Sequence, residues 1–153
     1  MQTDSPDTLP TTPQLGDPVA PLTAAELGEA LGGLGDEPVR QRERAGKLFS
    51  ILRPGRNRGS EYPAFQGWPG IAGEPLERAM GALGPVRGSG AYGFFTSPTD
   101  LLAGLTPIEV MLGHALSGQA LEPEAAELLA SAQPARLAAV ENAASAIAAQ
   151  LSA

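Results

Sequence analysis

Residues 39–66 read VRQRERAGKLFSILRPGRNRGSEYPAFQ: a basic run, a short apolar run, a turn and a return. Seven of the chain's ten basic residues fall here, namely Arg40, Arg42, Arg44, Lys47, Arg53, Arg56 and Arg58. Between Arg40 and Arg58 the one acid is Glu43, whereas the whole chain has a net charge of −7. An acidic protein that gathers its positive charge in one segment has a place to hold a polyanion. The plainer reading of the same residues is a solvated charged helix and turn.

Working outward, Gly46 ends the basic helix, and Leu48-Phe49-Ser50-Ile51-Leu52 is short, apolar and β-capable. Pro54-Gly55-Arg56-Asn57-Arg58-Gly59 is turn chemistry, and Glu61-Tyr62-Pro63-Ala64-Phe65 can return as an edge strand that tolerates Pro63. Upstream, Thr23-Ala24-Ala25-Glu26 is a capping box, with Leu22 and Leu27 as its hydrophobic staple. Leu27, Ala30, Leu31 and Leu34 form the apolar stripe of a short helix that Gly32, Gly33 and Gly35 break. Asp36 then caps a second helix, with Pro38 in its first turn. Helix, glycine turn, basic helix and arginine-tipped hairpin are the layout of a winged helix-turn-helix. The second helix would enter the major groove while the hairpin grips phosphates. The alternative is a small αα-hairpin packed on a ribbon, its arginines serving solubility.

The expected fold class is mostly α with a small β-hairpin. A winged helix-turn-helix-like lobe over 22–66 is followed by a helical bundle over 67–153. Residues 1–21 are expected to be a disordered, Pro-rich acidic arm, since Pro6, Pro10, Pro13, Pro18 and Pro21 exclude a regular helix.

In the second half, an amphipathic helix is expected over 75–83, with Leu76, Ala79, Met80 and Leu83 on one side. Gly88-Ser89-Gly90-Ala91-Tyr92-Gly93 matches the GxGxxG dinucleotide fingerprint only formally. Phosphate capture needs those glycines between a buried strand and a helix, and Pro85-Val86-Arg87 and Ser97-Pro98 interrupt both sides. Thr106-Pro107-Ile108-Glu109 opens a helix: Thr caps, Pro takes the first turn, and Glu lies three residues past the cap. Ile108, Met111 and Leu112 would face the core, and His114 would end that helix near its negative pole. The alanine-rich tail from 122 to 153 is helical, with an interruption at Gln133-Pro134. Its seam of Leu137, Val140, Ala144, Ile147 and Leu151 has coiled-coil spacing over two heptads. Such a seam serves packing onto the preceding helices or contact with a second copy as a homodimer.

With no cysteine and one histidine, a zinc site or a thiolate nucleophile is not expected. No triad or paired carboxylates can be read, so no catalytic residue, metal or cofactor is assigned and the chain is not expected to be an enzyme. No apolar run nears the roughly 20 residues of a membrane span, and MQTDSPDTLP lacks the order of a secretion signal. A cytoplasmic protein without a membrane partner is expected.

Two parts of the chain together resemble a known family. Arg44-Ala45-Gly46-Lys47-Leu48-Phe49, Gly55-Arg56 and Tyr62-Pro63-Ala64-Phe65-Gln66 look like the basic segment and hairpin of proteins with the Xre/MbcA/ParS-like toxin-binding domain. Leu101-x-x-Gly104-Leu105-Thr106-Pro107-Ile108-Glu109-Val110-Met111 is similar to that family's L-x-G-x-T-P-L-E-x-L signature. Where the family usually has a large aromatic before the Phe-Phe segment, this chain has Ala91-Tyr92-Gly93. The resemblance implies an antitoxin: one part binds double-stranded operator DNA and represses its operon, and the helical part blocks a cognate RES-type toxin that consumes NAD. On that reading Arg40, Arg42 and Arg44 meet phosphates or base edges, and Lys47, Arg53, Arg56 and Arg58 anchor the backbone. Tyr92, Phe95, Leu101, Leu105, Thr106, Pro107, Ile108 and Met111 would meet the toxin. A module that binds only protein is the alternative.

Overall fold

The computed structural model describes residues 16–52, 60–116, 118 and 120–152. The chain is mostly helical with a small antiparallel two-stranded sheet, the fold class expected. Helix α1 (Ala24–Ala30) starts at the capping box. Thr23 Oγ1 accepts from the Glu26 amide at 3.1 Å and Glu26 Oε1 from the Thr23 amide at 2.8 Å. After the glycine turn, α2 (Asp36–Arg44) follows, capped by Gly35 rather than Asp36, which takes the first helical position.

The small sheet pairs different segments from those expected. Strand β1 (Pro21–Leu22) lies antiparallel to β2 (Tyr62–Pro63), while 48–52 meets the return strand only through the bridge between Ile51 and Glu61. One reason is a side chain: the fully buried Gln66 accepts from the Phe49 amide at 3.0 Å and donates to the Phe49 carbonyl at 2.8 Å. That amide does for Phe49 what a neighbouring strand would have done. The arm is corrected too. Residues 16–21 are folded: Asp17 closes a turn on Val19 and Ala20, and the Pro18 and Ala20 carbonyls accept from Phe65 and Ala64. Prolines bar helix but fit a sheet edge. Residues 1–15 of the expected arm lie outside the described residues.

Beyond a 3₁₀ turn (Ala64–Gly67), α3 (Glu74–Leu83) buries Leu76, Ala79, Met80 and Leu83, as expected. Helix α4 (Gly88–Thr96) then holds the glycines of the formal fingerprint within its own turns, so they form no strand-to-helix phosphate loop. A 3₁₀ turn (Asp100–Leu102) leads to α5 (Pro107–Leu112), α6 (Pro123–Ala130) and α7 (Gln133–Ser152). The break in the tail falls at Ser131-Ala132; Pro134 sits in the first turn of α7, where its missing N–H costs nothing.

The lobes expected on either side of Gln66 share one core. Phe49 and Phe65 stack and tilt against Phe95, with ring centroids 5.8 and 5.3 Å from it. The α7 seam packs inward over α3 and α5: Leu137, Val140 and Ala144 are buried, while Leu151 is exposed. Arg78 on α3 clamps Glu141 on α7 through two hydrogen bonds of 3.1 and 2.6 Å. Arg136 on α7 donates to the Val110 and Met111 carbonyls, satisfying the end of α5. No helix among the described residues is long and apolar enough to cross a membrane.

Candidate interaction surfaces

The basic segment divides when folded. At 3.6 residues per turn, Asp36, Glu37, Arg40 and Arg44 share one face of α2. Arg40 Nη1 lies 3.0 Å from Asp36 Oδ2 and 3.9 Å from Glu37 Oε1, and Arg44 Nη2 lies 2.6 Å from Glu37 Oε2. Arg42 projects from the opposite side, into a groove with Ala30, Leu31, Gly67, Pro69 and Ala72. Glu43 turns inward, accepting from Ser50 Oγ at 2.6 Å and from the Tyr62 hydroxyl at 2.5 Å. Burial, that hydrogen bond and the Glu43 charge push the Tyr62 phenol well above its ordinary value, so it remains a donor.

Helix α2 thus holds three acids and three arginines and carries no net charge of its own. Arg42 and the exposed Lys47 make no ion pair among the described residues. Arg53, Arg56 and Arg58 lie outside the described residues, so the expected wing tip has no structural account. Arg40, Arg42 and Arg44, expected to meet DNA together, stand on two faces of α2, one of them matched by carboxylates. An i,i+4 count that began one turn earlier, at Asp36, would have revealed the pairing.

The eight residues expected to meet a partner also divide. Phe95, Leu105, Pro107, Ile108 and Met111 are buried in the chain's own core, which corrects their assignment as contacts. Tyr92 and Thr106 are half-buried and line two separate grooves on either side of Val19. Leu101 is 55% exposed.

Leu101 stands on a tightly tied turn. The Thr99 amide donates to the Leu105 carbonyl at 3.2 Å, the Gly104 amide returns to the Thr99 carbonyl at 2.8 Å, and Thr99 Oγ1 accepts from the Leu101 amide at 3.2 Å. Ala103 takes a left-handed conformation with φ 57°, which a non-glycine residue rarely adopts. Next to this turn lies a cleft of about 500 Å³ lined by Asp100, Ala103, Gly104, Glu122, Pro123 and Glu124. Leu121, beside Glu122, is 39% exposed. The result is an apolar knob, Leu101, that was among the residues expected to meet a partner, beside an acidic cleft that was not expected.

In the first turn of α5, Glu109 is buried and hydrogen-bonded through both carboxylate oxygens. Its Oε1 accepts from the Thr106 amide at 2.9 Å and its Oε2 from the Leu116 amide at 2.9 Å. His114 is exposed, two residues past the end of α5, which Gly113 closes. Among the described residues no three His, Asp or Glu side chains are grouped as metal ligands would be. Comparison with protein-family models, with curated proteins and with solved structures finds no match.

Proposed function

We propose that this chain is an antitoxin-like adaptor that captures a partner protein at the turn carrying Leu101. The observation that carries this reading is a large apolar side chain, 55% exposed, on a turn whose backbone is already fixed by three hydrogen bonds. Docking against a fixed knob avoids most of the ordering cost that a mobile loop would incur. The acidic cleft beside it favours a partner segment that is basic and apolar. The partner class that the resemblance implies is a RES-type toxin consuming NAD, met in the cytoplasm, and no catalytic step by this chain belongs to the reading.

The test uses Leu101→Glu, which should leave far-UV dichroism and thermal unfolding unchanged because the side chain is exposed. The tagged wild-type chain should retain a neighbouring gene product that degrades NAD and should inhibit it, whereas the variant should do neither. Equal retention and inhibition by wild type and variant would remove Leu101 from the interface.

A second reading, operator binding, is favoured by one specific observation: Lys47 and Arg42 lack carboxylate partners among the described residues. On this reading the chain joins DNA near the end of α2 and protein at the Leu101 turn.

A further inference from the structure

The sequence gathers its cations between Arg40 and Arg58, yet the fold adds one from 40 residues downstream. Arg87, immediately before α4, lays its guanidinium against Gly46 at the exit of α2; a Cβ on Gly46 would collide with it. Gly46 has φ +81°, so the turn favours glycine there, and the missing side chain leaves the space that the guanidinium fills. Arg87 donates from Nη1 to the Gly84 and Val86 carbonyls, and the residue as a whole stays exposed. Lys47 follows Gly46, one Cα step of about 3.8 Å away. Both cations are exposed, and neither forms an ion pair among the described residues.

The contrast with Arg40 and Arg44 decides which cations can take a phosphate. A phosphate approaching Arg40 or Arg44 also meets Asp36 and Glu37, within 3.0 and 2.6 Å of the guanidinium nitrogens. Displacing such exposed pairs costs little, but the carboxylates stay in place and repel the newcomer. At the α2–α4 junction the described ion pairs include no such carboxylate. A guanidinium held by two backbone carbonyls also loses less side-chain freedom on binding than a free one.

We propose that the junction of α2 and α4, where Arg87 packs on Gly46 beside Lys47, is the edge that grips the phosphate backbone of double-stranded DNA. Arg40 and Arg44 take no part. This rests on the operator-binding reading above and names its contact residues.

The experiment measures anisotropy of a short labelled duplex against the full-length chain over a series of salt concentrations. Arg87→Gln and Lys47→Gln should each flatten the log–log salt dependence by about 0.9, the loss of one phosphate contact. Arg87→Lys should restore the wild-type slope, since it returns the charge. The paired variant Asp36→Asn with Arg40→Gln removes an ion pair at no net charge and should leave the slope alone. A wild-type slope kept by Arg87→Gln, or one lost by the paired variant, would overturn this assignment while leaving DNA binding in place. Absence of wild-type binding at low salt would overturn the operator reading and this inference with it.

Discussion

Helices α2 and α5 make an instructive pair, because both were expected to bind something. α2 is the longer, with nine residues, and it buries one of them, Val39. α5 has six residues and buries five: Pro107, Ile108, Glu109, Val110 and Met111. A short helix buried on nearly every side has no face left for a partner, so its residue pattern is a packing instruction. Thr106 and Glu109 start it, Ile108 and Met111 wedge it into the core, and Arg136 satisfies its last carbonyls. A surface helix such as α2 keeps its charges available, but here they first answer one another. Within the motif that resembles a toxin-binding signature, the side chains of α5 stay inside and Leu101 is left outside.

The largest effect on stability is expected at Phe95, on α4, which packs against α5. This ring, fully buried between Phe49, Phe65 and Phe94, was expected at an interface. Phe95→Ala should cost about 3–5 kcal/mol, as large-to-small core changes do. The midpoint of thermal unfolding should fall by roughly 2–4 °C for each kcal/mol in a chain of this size. An unchanged midpoint would place the ring outside the core and restore it to a partner. A smaller effect is expected at Glu109→Gln, which can keep the Thr106 amide but cannot accept from the Leu116 amide with its new NH₂. Leaving that pairing unmade should cost about 1–3 kcal/mol. Hydrogen exchange at Leu116 is the specific readout, and it should quicken well before exchange in α7 does.

How far the sequence could be read follows from the reach of each signal. Local signals held: both capping boxes, at Thr23 and Thr106, form with the hydrogen bonds their residue types call for. The α3 stripe is buried as its period requires. Signals that depend on distant partners were silent. Nothing near Gln66 says that its amide will stand in for a strand beside Phe49, and nothing near Pro21 says that it pairs with Pro63. The same limit affected the candidate sites. Counting charge in a window from Arg40 left out Asp36 and Glu37, which share that helix face, and no window could have brought Arg87 to Gly46. Apolar residues at helical spacing mark a face, and whether core or partner covers it is decided by the packing of the remaining helices.

The smallest expected effect gives the finest test of the comparison, and it concerns Arg44→Gln. Arg44 and Glu37 are 61% and 58% exposed, so their 2.6 Å contact is made largely in water. Surface pairs of this kind contribute about 0–1 kcal/mol, because solvent and salt screen the attraction and two long side chains must be held still. Unfolding of Arg44→Gln in denaturant should therefore shift by less than about 0.5 kcal/mol, within the usual range for surface substitutions. Whatever shift exists should vanish in high salt. A loss above about 1.5 kcal/mol that persists in salt would mean that Arg44 and Glu37 support the packing of α2 on α1. In that case α2 would resemble α5 after all, a helix whose charged residues are committed to the fold and not to a partner.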